Sequence, residues 1–155
     1  MQFINYFVVS LISFSGLIIG ISLIKIAPEE QRALEKKFSL LRKLFLFLIF
    51  ILVMFFYYRN IFYLLTLIAY AIFLIAIEYK IDDLFRKSIV TYAILGILFF
   101  ISSKNLNLFL IESSLILLYG LPTASLMYKI REKNYYKILL YNLTFLIISN
   151  LLYFI

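Results

Sequence analysis

Residues 44–77 read LFLFLIFILVMFFYYRNIFYLLTLIAYAIFLIAI, and Arg59 is the only charged residue among these 34. As one helix the stretch would measure about 51 Å at 1.5 Å per residue, far more than the roughly 30 Å hydrocarbon core of a bilayer. Arg59 would then lie near the membrane centre, where a charged side chain is costly. The stretch therefore predicts a helical hairpin of two transmembrane spans, residues 44–58 and 61–77, that reverses at Arg59 and Asn60.

The chain as a whole is strongly hydrophobic. Of its 155 residues, 65% are hydrophobic and 15% charged, a balance that a soluble domain of this size cannot bury in one core. With charged clusters as boundaries, residues 1–155 are predicted to form a single all-α domain, an integral membrane bundle of six transmembrane helices. The predicted spans are residues 3–24, 44–58, 61–77, 88–103, 106–127 and 138–155, with an amphipathic cytoplasmic helix at residues 28–43 between the first two.

Basic residues are distributed unevenly between the connecting loops. The loops after spans one, three and five contain thirteen lysines and arginines, whereas those after spans two and four contain only Arg59 and Lys104. Because Lys and Arg accumulate in cytoplasmic loops, we expect a multi-pass protein of the cell membrane with both termini outside the cytoplasm. This topological role also accounts for the net charge of +7, so we expect the lipid bilayer, and not nucleic acid, as the partner of these charges.

Residues 28–43 are the longest hydrophilic stretch and carry the signals of a helix. Pro28 suits a first helical position, and the two glutamates after it suit the positive end of a helix dipole. An apolar face repeats at helical spacing, formed by Leu34, Phe38, Leu41 and Phe45. This helix either fixes depth and orientation at the membrane interface or offers a docking surface to a cytoplasmic partner.

The chain contains no cysteine and no histidine. It therefore lacks a thiolate nucleophile, a sulfur ligand for metals and an imidazole general base. Glu78, Asp82 and Asp83 form a small acidic group able to attract Mg²⁺, but neighbouring basic residues favour a solvated loop over a metal site. We accordingly expect no enzyme activity, no catalytic residues, no cofactor and no metal.

Gly16 and Gly20 lie four residues apart in the first span. Small residues at this spacing let two helix backbones approach closely in lipid. We expect this face to pack inside the bundle, with pairing to another subunit as the alternative. Phe47 and Phe50 of the second span are expected to face lipid instead.

Glu112 is the only acidic residue inside a predicted span, which makes it a candidate intramembrane polar site. At about 100° per residue, Tyr119 and Thr123 fall on the same stripe of the fifth span. Either the stripe faces the interior of the bundle or a partner helix, where it can hold a proton or cation, or Glu112 reaches interfacial water at the outer membrane edge.

Two functions are compatible with these features. The first is a non-catalytic subunit or scaffold of a membrane complex, whose apolar surfaces pack against other membrane proteins or a second copy of the chain. The alternative is a small transporter, channel or lipid-handling protein that uses Glu112 as a proton or cation site.

Overall fold

The computed structural model describes residues 2–128 and 134–155, without the side chains of residues 30, 32 and 63. Three of the basic loop residues used to predict orientation, Lys129, Arg131 and Lys133, lie outside the described residues. Within those two ranges the regular structure is entirely helical, which confirms the all-α prediction. The helices are α1 (Phe3–Ile26), α2 (Pro28–Tyr57), α3 (Ile61–Lys80), α4 (Leu84–Ser102), α5 (Leu106–Met127), α6 (Tyr135–Asn142) and α7 (Thr144–Tyr153).

Short polar side chains determine where two of the helices begin. Asp83 Oδ1 accepts a hydrogen bond from Phe85 N at 3.0 Å, so α4 begins at Leu84 and not at the predicted residue 88. Asn105 caps α5 by accepting hydrogen bonds from two backbone amides of its first turn, at 3.1 and 3.3 Å. Such caps satisfy amides that have no partner within the helix itself.

Glu78 and Lys87, predicted to lie in a loop, are helical. α3 ends at Lys80 and not at residue 77, and the backbone bond from Ile81 N to Ile77 O at 3.0 Å carries the helical pattern past Glu78. Lys87 lies near the start of α4. The prediction placed boundaries at charges, but charged side chains do not interrupt backbone hydrogen bonding at a helix end, so both helices are longer than predicted.

Helix α2 runs without interruption from the predicted amphipathic segment into the predicted second span. No glycine or proline follows Pro28 within its 30 residues, so nothing in the backbone interrupts it. Of the predicted apolar face, Leu34, Phe38 and Phe45 are half-buried and Leu41 is exposed. The two predicted segments therefore form one helix.

The predicted last span, residues 138–155, consists of α6 and α7, which meet at Leu143. Leu143 N donates to Leu139 O at 3.0 Å, and Ile147 N donates to Leu143 O at 2.9 Å. Backbone hydrogen bonding thus continues through the junction. The whole stretch Tyr135–Tyr153 is long and apolar enough to be one candidate span.

Helix α5 lies at the centre of the bundle, with α1, α2 and α4 packed around it, while α7 packs against α4. Aromatic rings fill much of the interior: the ring centroids of Tyr6, Phe99 and Phe109 lie between 4.7 and 5.7 Å apart. α3 stands at the edge and packs chiefly against α2 and α4. This peripheral position leaves space between α3 and the central helix.

The prediction that Phe50 faces lipid is wrong. Phe47 is 64% exposed, as a lipid-facing side chain should be, but Phe50 is only 6% exposed. It belongs with Ile49 and Val53 to the buried stripe of α2. Because this part of α2 is apolar all round, its sequence carries no polar stripe to indicate which face is inside.

Five helical stretches of the described chain are long and apolar enough to cross a membrane. They are Phe3–Ile26, Ala33–Tyr57, Leu84–Ser102, Leu106–Met127 and Tyr135–Tyr153. Many large apolar side chains on their outer faces are exposed, as lipid contact requires. These are the helices of a multi-pass membrane protein.

Candidate functional site

A cavity of about 630 Å³ lies between α2, α3, α4 and α5. Its volume is in the range of sites that hold small organic ligands. Most of its wall is apolar, formed by Leu46, Phe47 and Phe50 of α2 and by Ala71, Leu74 and Ile75 of α3. The cavity is therefore suited to a largely apolar ligand.

Charged side chains lie at one end of the cavity. Arg42 Nη2 donates to both carboxylate oxygens of Glu78, at 2.7 and 2.8 Å. Lys87 Nζ donates to the backbone carbonyl of Glu78 at 2.8 Å and lies 3.6 Å from its Oε1. Lys43 Nζ lies 3.8 Å from the same carboxylate oxygen. These four residues, here called the basic cluster, place three cations around one carboxylate.

The basic cluster is largely withdrawn from solvent. Arg42 is 5% exposed and Lys87 is 9% exposed, whereas Lys43 stays mostly at the surface. Residues of this type are almost never fully buried without partners. Arg42 Nε is buried and has no hydrogen-bond partner within the part of the chain that the structure describes. The cluster thus combines excess positive charge with an unused donor.

Two hydroxyl-bearing residues line the cavity beside the cluster. Tyr119 of α5 is buried, and its ring packs against Tyr92 with centroids 5.6 Å apart. Thr91 Oγ1 of α4 donates to the carbonyl oxygen of Lys87 at 2.9 Å. Both residues place neutral polar atoms next to the basic cluster.

Glu112 is buried elsewhere in the bundle, with 0% exposure. Ser102 Oγ, at the end of α4, donates a hydrogen bond to Glu112 Oε2. The other carboxyl oxygen, Oε1, is buried without a hydrogen-bond partner among the described residues, and none of the salt bridges found there includes Glu112. The carboxyl group therefore lies inside the bundle and not in interfacial water.

The three residues of the predicted stripe, Glu112, Tyr119 and Thr123, lie at different levels of α5. All three side chains are buried, but Tyr119 lies about 10 Å along the helix axis from Glu112. Tyr119 lines the cavity, whereas Thr123 Oγ1 donates to the carbonyl oxygen of Tyr119 in its own helix at 2.7 Å. The helical angle predicts a shared face, but it does not bring residues at different levels together.

Gly16 and Gly20 lie against α5 of the same chain. A Cβ atom on Gly16 would overlap the backbone of Leu117, whose carbonyl carbon would be only 2.8 Å away. A Cβ on Gly20 would lie 2.5 Å from Leu121 O, and one on Gly120 would lie 2.8 Å from the Gly16 backbone. These glycines allow the α1 and α5 backbones to touch.

The acidic group considered as a metal site is divided between two roles. Glu78 pairs with Arg42, while Asp83 caps α4 and lies 3.8 Å from Arg86 Nε. Across residues 2–128 and 134–155, no three His, Cys, Asp or Glu residues come together in a group that could hold a metal ion. Glu78 thus belongs to the cavity and Asp83 to the start of a helix.

The basic cluster was not predicted. The sequence pattern assigned Arg42 and Lys87 to segment ends, as basic residues that determine topology, and Glu78 to a solvated acidic loop. One signal was available, since all three flank apolar runs at the same predicted membrane edge. The sequence does not show which helices are neighbours, and the packing of α3 against α2 and α4 supplies this information.

The helices and the cavity together define a multi-pass membrane protein with a ligand-sized space between its helices. Comparison of the chain with protein-family models, with curated proteins and with solved structures gave no match. The arrangement of its own residues is therefore the basis for inferring its function.

Proposed function

We propose that the protein is a non-catalytic, lipid-handling membrane protein that holds an amphiphile from the surrounding bilayer in the cavity. One observation carries the proposal: an apolar cavity ends in the basic cluster, in which Arg42 and Lys87 are buried. An amphiphile needs an apolar surface for its chain and, next to it, a charged or polar surface for its head group. Basic pockets between transmembrane helices are a common way to hold lipid head groups.

The order of the lining residues along the helices supports this proposal. On α2, Arg42 precedes Leu46 and Phe50 by about one and two turns. On α3, Ala71 precedes Glu78 by about two turns. The two helices run in opposite directions, so their charges meet at one level while their apolar residues continue away from it. A lipid has the same arrangement, with a polar head group at one end and apolar chains that extend away from it.

We further propose that α3 is a sixth span. Its 20 residues measure about 30 Å, the thickness of the hydrocarbon core. Arg42 lies fifteen residues before the end of α2 and Glu78 seventeen residues after the start of α3, so their salt bridge fits an antiparallel hairpin. With six spans, the loop charges favour a cell-membrane protein with the basic cluster on the cytoplasmic side and both termini outside.

Labelling of single cysteines tests this topology. The chain has no native cysteine, so each variant carries one labelling site. A membrane-impermeant maleimide added to intact cells should label Arg59→Cys and Lys104→Cys but not Lys36→Cys or Asp83→Cys. Labelling of both Lys36→Cys and Asp83→Cys would reverse the orientation. Labelling of only one of these two would show that the number of spans between them is odd, which contradicts six.

Filling the cavity tests the binding of an amphiphile. Ala71 lines the cavity, whereas Ala69 on the same helix is exposed and does not line it. Ala71→Phe should weaken the affinity for the first bound phospholipid at least about tenfold, because the ring occupies the space of a chain. Ala69→Phe should leave that affinity unchanged. The measurement is native mass spectrometry of detergent-purified protein with added dioleoylphosphatidylglycerol, and wild-type affinity in both variants would exclude this cavity as the site.

The other functions suggested by the sequence stay predictions. A subunit or scaffold role, with membrane proteins or a second copy as partner, relies on exposed apolar faces, which suit lipid equally well. Transport through Glu112 is supported by its buried Oε1, which has no hydrogen-bond partner among the residues that the structure describes. Glu112 does not line the cavity, so transport and lipid handling would use different sites.

A further inference from the structure

We infer that Arg42 and Lys87 bind the anionic head group of a phosphate-bearing membrane lipid, and that the Glu78 carboxylate occupies this position when the cavity is empty. The inference rests on the proposed function. It adds that the ligand is anionic and that the Glu78 carboxylate competes with it for the basic cluster.

The basic cluster holds more positive charge than Glu78 neutralises. Arg42 and Lys87 are both buried, and Lys43 adds a third positive charge at the rim. In a site that is partly shielded from water, such an excess attracts anions more strongly than it would in solution. The cluster is therefore favourable for a second anion, or for an anion of higher charge in place of Glu78.

The donors of Arg42 are only partly used. Nη2 donates to both oxygens of Glu78, while the buried Nε has no partner in the described chain. A guanidinium group presents its N–H groups as a planar fork that matches two oxygens of a phosphate. A phosphate can engage Nη2 and Nε together, which the Glu78 carboxylate does not do.

The surroundings favour a lipid over a free anion. Leu46, Phe50 and Leu74 continue from the basic cluster into the cavity. A phosphate ion would leave this apolar surface uncovered, whereas a lipid chain would cover it and gain hydrophobic stabilisation. The head group and the chain are thus recognised by adjoining parts of one cavity.

Glu78 is placed so that it can leave the cluster. It lies on α3, at the edge of the bundle, and its side chain is 32% exposed. Its carboxylate can therefore turn toward water when a phosphate replaces it. Lys87 also bonds to the backbone of Glu78, and this contact does not depend on the carboxylate.

Lipid titration of the purified full-length protein tests the inference. Native mass spectrometry compares dioleoylphosphatidylglycerol, which is anionic, with dioleoylphosphatidylcholine, which has the same chains and no net charge. We expect phosphatidylglycerol to bind at least about tenfold more tightly. Glu78→Gln removes the competing carboxylate and should strengthen phosphatidylglycerol binding by about tenfold.

A double variant examines the contribution of Arg42 to lipid binding. Arg42→Gln/Glu78→Gln replaces both partners of this salt bridge by amides, so neither side chain is left as an unpaired charge, and Lys87 keeps its hydrogen bond to the backbone carbonyl of residue 78. Relative to Glu78→Gln, it should lose at least about tenfold in phosphatidylglycerol affinity. Lys87→Gln should show the same loss relative to wild type. Arg86→Gln, which removes a positive charge from an 80% exposed side chain of α4, is the matched control and should bind like wild type.

Each of the following results would overturn a specific part of the inference. Equal affinity for the two lipids, in wild type and in Glu78→Gln, removes the head-group site but leaves an amphiphile in the cavity. Weaker phosphatidylglycerol binding in Glu78→Gln shows that Glu78 does not compete with the lipid. Displacement of phosphatidylglycerol by equimolar inorganic phosphate overturns the assignment to a lipid. Absence of any lipid binding overturns both this inference and the proposed function.

Discussion

Gly16→Leu should abolish accumulation of the folded protein. Even a Cβ atom at Gly16 would overlap the Leu117 backbone, and the rest of a leucine side chain needs still more space. The obstacle is backbone and not a flexible side chain, so α1 and α5 must move apart along their contact. We expect a loss of stability of at least about 3 kcal/mol, at the upper end of the usual cost of overpacking.

The measurement is the yield of monodisperse protein after detergent extraction, together with its melting temperature. Gly16→Ala should be impaired in the same direction, because its Cβ alone makes the overlap. Ser22→Leu is the matched control, since it places the same side chain at an exposed position of α1. If Gly16→Leu melts like Ser22→Leu, the two helix backbones are not in contact at Gly16.

The existence of the helices could be predicted from the sequence because it depends on local composition. Long apolar runs must satisfy their backbone polar groups internally when they meet lipid, and a helix does this within one segment. The ends were less predictable. Glu78 and Lys87 were treated as loop residues, yet both belong to helices, since helix ends depend on caps and on backbone bonding as well as on charge.

The candidate site was harder to predict because it depends on which helices are neighbours. An apolar helix in lipid gives little indication of its buried face, so Phe50 was expected outside and lies inside. In the sequence Arg42 is indistinguishable from the other predicted cytoplasmic charges, and its partner Glu78 is known only from the position of α3. Glu112 and Tyr119 share a face but not a level, and the cavity includes only Tyr119. The positions of Phe50 and of the Arg42–Glu78 pair depend on packing between segments. The distance between Glu112 and Tyr119 along α5 follows from their spacing in the sequence.

Glu112→Ala should destabilise the bundle by about 2–4 kcal/mol, whereas Glu112→Gln should stay within about 1 kcal/mol of wild type. Alanine leaves a cavity at a position with 0% exposure and deprives the Ser102 hydroxyl of its acceptor. Glutamine keeps the volume and offers an amide oxygen to Ser102. Both variants are compared with wild type by reversible unfolding in mixed detergent micelles, with Glu35→Ala on the exposed part of α2 as the control substitution.

The comparison of Gln with Ala at Glu112 also separates two roles for the carboxyl group. As a hydrogen-bonding group that needs no charge, it is replaced by an amide at little cost. If the carboxylate instead binds a cation, an amide cannot replace it at little cost. The amide does not neutralise the positive charge, and a charge buried without a partner costs several kcal/mol. If Glu112→Gln proves as unstable as Glu112→Ala, the carboxyl group is required at this position and an amide cannot replace it. That result would favour a bound cation at Glu112 and, with it, the transport alternative over a purely structural role.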